Sequence, residues 1–262
     1  MLETRFWTAA VALPAVLAAV LLASDQRFTL IVAAFGAWAL YEIAAMTGAT
    51  KSASRLALVI LAGGVPLAIE LAVTIRIPWL VAAGAIVAMA TLVGLVAVRG
   101  ANIGVGRSSL ALVGAACVGM LFPFLGLARN LRDGAALFTL TLLLVVASDT
   151  GAYFGGVYLG RHKLAPRVSP NKTVEGAVAG LLASLTIALA LRKFFYSDWE
   201  VEQILVFGAA VALLAQLGDL ANSAFKRCAK VKDSGWLFPG HGGLLDRAFS
   251  LVFAATFAYY WA

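Results

Sequence analysis

Residues 134–158 read GAALFTLTLLLVVASDTGAYFGGVY and contain one charged residue, Asp149. An apolar run of about 20 residues is long enough to cross the hydrocarbon core of a bilayer as an α-helix. This segment therefore predicts a membrane-spanning helix. Eight more runs of the same type lie on either side of it. They cover residues 6–23, 28–47, 56–74, 78–98, 108–128, 174–192, 201–225 and 243–261.

The composition favours the same class of fold. Of the 262 residues, 62% are hydrophobic and 13% are charged, whereas a soluble domain carries about 25% charged residues. The run at 6–23 is longer than the ~7–15-residue apolar region of a signal peptide, so we expect it to be retained as a helix. We therefore predict an all-α, polytopic integral membrane protein with about nine transmembrane helices.

Positive charges are divided unevenly between the two sides of the predicted membrane. Loops on one side hold thirteen Lys and Arg residues, and loops on the other side hold six. The richer side is expected to be cytoplasmic, which places the N-terminus and the loops at 159–173 and 226–242 in the cytoplasm. The net charge of +7 is spread over these short loops. We therefore expect contacts with anionic head groups or phosphates, and not with nucleic acid.

Three carboxylates are predicted to reach the cytoplasmic face. Asp149 lies near that end of the sixth span, Asp219 near that end of the eighth, and Asp246 at the start of the ninth. Carboxylates are costly when they face lipid, so these three are expected to face a polar cavity. Oxygen ligands without His or Cys partners suit a hard cation such as Mg²⁺. The alternative is that each one caps a helix or pairs with a nearby Arg.

The basic loop at 161–173 precedes the seventh span. Thr173 is placed to cap that helix, and Glu175 suits the positive end of its dipole. Free backbone N–H groups at a helix N-terminus bind phosphate readily when Lys and Arg lie beside them. The alternative is that these charges only set the topology or touch anionic lipid.

A second polar stretch, residues 232–247, reads KDSGWLFPGHGGLLDR. Its glycines would let the backbone approach an anion closely, and His241 is a candidate phosphate donor or proton carrier. Glu42, inside the second span, either reaches the cavity or makes a helix–helix hydrogen bond. Basic residues and carboxylates at one membrane face indicate a metal-dependent reaction of phosphates.

Three blocks of sequence resemble the phosphatidate cytidylyltransferase family. The first is SDTGAYFGG at 148–156, followed by KLAP at 163–166 and SPNKTVEG at 169–176. The second is QLGDL at 216–220 with Ser223 and the pair at 226–227, and the third is the stretch at 232–247. The match lies in the C-terminal part of the chain. Residues 131–262 (spans six to nine) are therefore predicted to be the catalytic region, and residues 1–130 to form N-terminal transmembrane helices (spans one to five).

The resemblance implies that phosphatidic acid and CTP react to give CDP-diacylglycerol and pyrophosphate with Mg²⁺, with room for a second metal ion. It also implies a homodimer in membrane lipid, in the bacterial inner membrane, with its active site facing the cytoplasm. The catalytic residues it implies are Asp219, Asp246, Lys226 and Arg227. The metal ligands would be Asp219 and Asp246, to which we add Asp149. The substrate-binding residues would be Lys163, Ser169, Lys172, Ser223, Lys232, Asp233, His241 and Arg247.

Two positions depart from the family pattern. Asn222 stands where the family usually has Glu, and Phe249 stands where it usually has Asp. Each would share a helix face with Asp219 or Asp246 three residues earlier, so each family helix would present two carboxylates where this chain presents one. The chain is therefore an active enzyme or an impaired paralogue. A CTP-dependent kinase of polyprenols or other lipids and a membrane transporter are also compatible with the sequence.

Overall fold

A computed structural model describes residues 13–51, 56, 59–60, 106–237 and 242–262. The predicted span at 78–98, most of the span at 56–74 and the first part of the span at 6–23 lie outside the described residues. So does His241.

The described part of the chain is mainly helical, as predicted. In chain order its elements are α1 (Leu13–Leu22), α2 (Asp25–Thr47), a 3-10 turn (Ala49–Lys51), α3 (Arg107–Leu121), α4 (Pro123–Arg129), α5 (Gly134–Tyr158), β1 (Lys163–Ala165), β2 (Ser169–Thr173), α6 (Val174–Phe195), α7 (Val201–Cys228) and α8 (Leu245–Trp261). Among the described residues, five helical segments are long and apolar enough to cross a membrane: α2, α3 together with α4, α5, α6 and α7.

Two details differ from the sequence-based prediction. The span predicted at 108–128 is broken between α3 and α4, because Pro123 has no N–H to donate to the preceding turn. The basic loop contains a short antiparallel hairpin in which Ala165 pairs with Ser169. Both paired residues precede a proline, and a residue before proline favours the extended conformation.

The chain divides into two compact units. The first unit contains Met1–Gly126 and Ala221–Ala248, and the second contains Leu127–Leu220 and Phe249–Ala262. Helices α7 and α8 each contribute residues to both units.

The second unit has an apolar core between α5, α6, α7 and α8. The buried side chains of this core are Leu137, Leu140, Leu144, Val145, Ala188, Ile204, Phe207, Val211, Ala215, Ala254 and Ala258. Helices α5 and α6 approach each other closely through small residues. A Cβ atom added to Gly151 would lie 2.6 Å from the Ala183 Cβ, and one added to Gly180 would lie 2.6 Å from the Ser148 carbonyl oxygen. The two helices therefore meet backbone to backbone.

We expect Gly180→Val to destabilise the second unit, because the new side chain would overlap the backbone of α5. Overpacking of this kind costs about 1–3 kcal/mol. Thermal denaturation in detergent measures the effect. Leu182→Val alters an exposed side chain of the same helix and should leave the melting temperature unchanged. Equal melting temperatures for Gly180→Val and the wild type would contradict the close helix contact.

The first unit packs α2 and α3 against the last turns of α7. Phe225 is buried, and its ring would lie 2.5 Å from a Cβ atom added to Gly114, so α3 passes directly over this ring. Asn222 and Lys226 are one helical turn apart and therefore share a face of α7. This packing anchors the end of α7 that carries polar residues.

Candidate functional site

The side chain of Asp246, in the first turn of α8, forms a buried ion pair. Its Oδ1 accepts a hydrogen bond from Lys226 Nζ at 2.5 Å and one from Asn222 Nδ2 at 3.2 Å. The side chains of Lys226 and Asp246 are only 14% and 8% exposed. Because both charges are largely withdrawn from water, removing either partner would leave the other charge uncompensated.

The second oxygen of Asp246 is held by the loop that precedes α8. Its Oδ2 accepts hydrogen bonds from Ser234 N at 2.9 Å and from Gly243 N at 3.1 Å, and Ser234 Oγ, which is nearer to Glu42, lies 3.0 Å away. Both carboxylate oxygens of Asp246 are therefore engaged by fixed donors, which sets the orientation of this side chain.

Two consecutive glycines allow the loop to approach Asp246. Gly242 has a φ of 82°, a left-handed conformation that glycine adopts without strain. At Gly243 a Cβ atom would overlap the Ser234 hydroxyl and would lie 2.5 Å from both Glu42 carboxylate oxygens. The glycine-rich character of this stretch thus reflects close contact of the backbone with two carboxylates of the protein itself.

Glu42, on α2, is the acidic residue for which the sequence left two alternatives open. Its side chain accepts hydrogen bonds from Trp38 Nε1, Ser234 Oγ, Leu244 N and Leu245 N, at distances of 2.8–3.1 Å. The residue is 2% exposed. Its contacts are therefore with the 234–245 loop and the N-terminus of α8, where a negative charge is stabilised by the helix dipole. An acidic residue inside an apolar span was the only signal for it.

Asn222 has one oxygen without a partner. Its Nδ2 donates to the Leu245 carbonyl oxygen at 3.1 Å as well as to Asp246, but its Oδ1 is buried and makes no hydrogen bond. An unsatisfied buried oxygen is unfavourable, and it offers a cation one free oxygen donor. Both oxygens of Asp246 already accept hydrogen bonds, so Asp246 could bind a cation only after Lys226 or Asn222 left its Oδ1. Oxygen donors of this type fit Mg²⁺, which usually takes one or two protein oxygens and completes its shell with water and substrate phosphates.

Phe249 occupies the other position that departs from the family pattern. The side chain is buried and packs against Phe253 with ring centroids 6.2 Å apart. Its carbonyl oxygen would lie 2.7 Å from a Cβ atom on Gly218, so α7 and α8 touch here within the second unit. Phe249 is therefore a packing residue of the helix contact.

Asp219 belongs to the second unit, where it pairs with the β-hairpin. Its Oδ2 lies 2.6 Å from Lys172 Nζ, and the side chains of Lys172 and Asp219 are 25% and 39% exposed. The predicted substrate-binding Lys172 and the predicted metal ligand Asp219 are thus neighbours at a partly solvated position. A substrate phosphate would compete with Asp219 for the same ammonium group.

The hairpin is fixed to the start of α6 by two side chains. Thr173 Oγ1 accepts from Gly176 N at 3.1 Å, which confirms the predicted cap. Glu175 accepts from the backbone N–H groups of Arg161 and His162 and lies 2.5 Å from His162 Nδ1. Glu175 therefore holds the start of the basic loop by hydrogen bonds, and its negative charge also lies at the favourable, N-terminal end of the α6 dipole.

One motif residue near Asp219 has a structural role. Gln216 Nε2 donates to the carbonyl oxygen of Ala177 at 3.0 Å and to Ser148 Oγ at 3.3 Å. This amide joins α7 to both α5 and α6, and so it holds the helix that carries Asp219.

The other predicted site residues lie nearer the surface of their units. Arg227 donates from Nη1 to the Val231 carbonyl oxygen at 3.3 Å, which closes the end of α7. Asp149, Lys163, Lys232, Asp233 and Arg247 are exposed, and Ser169 and Ser223 are partly exposed. Within the described ranges, no group of three or more His, Cys, Asp or Glu side chains is arranged to hold a metal.

Comparison with known proteins places these residues in a family. The sequence profile of the cytidylyltransferase family matches residues 3–262. Proteins named phosphatidate cytidylyltransferase from Staphylococcus aureus (strain COL) and Staphylococcus saprophyticus are each 42% identical to this chain over 146 residues, and that from Staphylococcus haemolyticus is 40% identical. Each match covers 56% of this chain and 55% of the relative, so the chain spans little more than half the length of these relatives.

The family match extends well beyond the three sequence blocks, into the N-terminal helices that carry Glu42. The resemblance inferred from the motifs is confirmed, and the chain belongs to the cytidylyltransferase family.

Proposed function

We propose that this protein transfers a cytidylyl group from CTP to phosphatidic acid and releases CDP-diacylglycerol and pyrophosphate. The observation that carries the proposal is the buried Asp246–Lys226 pair in a chain of the cytidylyltransferase family. The names of its staphylococcal relatives support the choice of acceptor.

In this reaction a phosphate oxygen of phosphatidic acid attacks the α-phosphorus of CTP. The bond from the α-phosphorus to the bridging oxygen breaks, and pyrophosphate leaves with the electron pair. The acceptor is itself the nucleophile, so no side chain needs to form a covalent intermediate. The protein has to position two anions in line and to offset their charge.

Lys226 suits the second requirement because its ammonium group is desolvated and already oriented by Asp246. In a site with little water, such a charge stabilises a phosphate more strongly than it would at the surface. Lys172, Arg227 and Arg247 are the further cations we assign to phosphate binding, with Lys163 and Lys232 as exposed contacts. The polar contacts to the substrates that the motifs imply are also part of the proposal. They come from Ser169, Ser223, Asp233 and His241.

Mg²⁺ is the metal that we propose. The free Oδ1 of Asn222 would hold it, together with Asp246 once Lys226 leaves Asp246 Oδ1 for a substrate phosphate. When bound, it would neutralise charge that develops on the transferring phosphate. Asp219 and Asp149 keep their proposed roles as additional carboxylate ligands, with room for a second ion.

We place the reaction at the cytoplasmic face of a bacterial inner membrane, with the protein acting as a homodimer. The basic residues of the hairpin and of the loop after α7 support this side of the membrane. Exposed aromatic residues at the end of α5, Tyr153, Phe154 and Tyr158, are of the type that lies at head-group level.

The decisive experiment uses the purified full chain, phosphatidic acid in mixed micelles, and CTP labelled at either the α- or the γ-phosphate. We expect the α-label to enter the lipid only when Mg²⁺ is present, with stoichiometric pyrophosphate. Entry of the γ-label with release of CDP would identify a lipid kinase instead. Absence of any Mg²⁺-dependent labelled lipid would contradict the proposal.

A further inference from the structure

Glu42 is buried in contact with residues far away in the sequence. Three of its four donors, Ser234 Oγ, Leu244 N and Leu245 N, are 192, 202 and 203 residues away. Gly235 and Gly243 approach the carboxylate so closely that a Cβ atom on either would meet a carboxylate oxygen at 2.5 Å. Residues 234–235 and 243–245 therefore pack closely around this one side chain.

The groups that hold Glu42 are the same groups that hold Asp246. The Ser234 hydroxyl lies between the two carboxylates, 2.9 Å from Glu42 Oε2 and 3.0 Å from Asp246 Oδ2, and donates its single proton to one of them at a time. Leu244 and Leu245, whose N–H groups bind Glu42, lie between Gly243, which donates to Asp246, and Asp246 itself. If the Glu42 carboxylate were displaced, Ser234 and the backbone of residues 243–245 would move with it. Both of these groups contact Asp246 or lie next to it in the chain.

Contact of Glu42 with a substrate is excluded by its burial. The side chain is 2% exposed, and each oxygen already accepts two hydrogen bonds. Oxygens saturated by fixed donors have no free position for a ligand. Glu42 can influence the reaction only through the segment that it holds.

We infer that Glu42 is a positioning residue for Asp246: through Ser234 and the first amides of α8, it fixes the orientation in which Asp246 meets Lys226. Helix α2 therefore contributes a positioning residue to the site, although the family motifs lie in the C-terminal part of the chain. The catalytic consequence rests on the proposed function. The structural consequence, the fixed arrangement of residues 234–237 and 242–246, does not.

The test compares Glu42→Gln and Glu42→Ala with the wild type in lipid nanodiscs. Gln preserves the shape of the side chain but places an NH₂ group against donors, and Ala removes the acceptor altogether. Amide hydrogen exchange of peptides that cover residues 234–248 reports the order of the segment. We expect exchange there to become about tenfold faster in Glu42→Gln, an opening easier by about 1.4 kcal/mol, with unchanged exchange in α5 and α6.

The activity measurement separates positioning from general stability. We expect kcat of Glu42→Gln to fall at least about tenfold, with KM for CTP changed less than about threefold, because the orientation of Asp246 matters in the transition state. Thr141→Val is the matched control. It removes a buried hydroxyl that donates to the Leu137 carbonyl oxygen in its own helix, and it should change neither kcat nor exchange at 234–248.

The result that overturns the inference is unchanged exchange of the 234–248 segment in Glu42→Gln, and an equal fall of kcat in Thr141→Val would also overturn it. If the wild type forms no CDP-diacylglycerol, the proposed function fails, but the exchange experiment still decides whether Glu42 orders the Asp246 segment. If Glu42→Ala does not fold, Glu42→Gln carries both measurements.

Discussion

Asp246→Asn should lower the rate of CDP-diacylglycerol formation by about 10²–10³-fold, the loss that follows removal of one preorganised charge-stabilising group. The substitution keeps the shape of the side chain but removes the negative charge that orients Lys226 at 2.5 Å. It also replaces a charged carboxylate that we assign to Mg²⁺ by a neutral amide. Steady-state kinetics with labelled CTP measure the loss.

The same substitution has a stability effect that must be separated from the catalytic one. Lys226 would keep a positive charge at a position only 14% exposed, and breaking a buried pair costs about 3–5 kcal/mol. Adding Lys226→Met to Asp246→Asn removes this uncompensated charge. We expect the double variant to recover most of the lost melting temperature and none of the lost rate. An Asp246→Asn protein with the wild-type rate would disprove the role of Asp246 in the site.

Asn222→Glu should make the stability of the protein dependent on Mg²⁺. The new carboxylate would replace an amide that donates to Asp246 at 3.2 Å, so two buried negative charges would face each other. Lys226 offsets only one of these charges, so without a further cation the arrangement costs several kcal/mol. With Mg²⁺ at about 100 times its dissociation constant, binding would return about 2.7 kcal/mol. Melting temperatures across a Mg²⁺ titration measure the change.

Asn222→Leu is the matched control for that experiment, since it removes the amide without adding charge. We expect this variant to melt at a temperature that Mg²⁺ does not alter beyond the wild-type response. If Asn222→Glu is equally unstable at all Mg²⁺ concentrations, the unpartnered Oδ1 of Asn222 is not next to a cation position. The assignment of Mg²⁺ to Asn222 and Asp246 would then be wrong.

Helix positions were predictable because lipid imposes a simple requirement on length and polarity. The run at 134–158 coincides with α5, and Thr173 marks the start of α6 as predicted. The predicted ends of α6 and α7, at 192 and 225, are too early by about one turn, since these helices continue to Phe195 and Cys228. Both predicted ends lie at or just before a basic residue. A positive charge ends the part of a helix that contacts hydrocarbon, but the helix itself continues, because a positive charge stabilises its C-terminal turn.

The sequence motifs pointed to Asp219, Asp246, Lys172 and Lys226, and the structure joins them in two ion pairs, Lys172 with Asp219 and Lys226 with Asp246. Their roles in the reaction stay predictions. The residues that support Asp246 were not predictable from the motifs. Glu42 could not be assigned a role, because two of its partners are backbone amides of Leu244 and Leu245, which leave no side-chain pattern. Contacts across about 200 residues require the folded chain, and no local rule of sequence contains them.

The anchoring of Glu42 also has a consequence for the biosynthesis of the protein. At a translation rate of about 5–20 residues per second, roughly 10–40 s pass between synthesis of Glu42 and synthesis of its partners at 234–245. Until then, the described hydrogen bonds of this carboxylate are limited to the one from Trp38 in its own helix. An acid that lacks partners among apolar segments is costly. A nascent chain that ends before Ser234 therefore bears an energetic cost at Glu42 that the finished protein relieves through Ser234 and the first amides of α8.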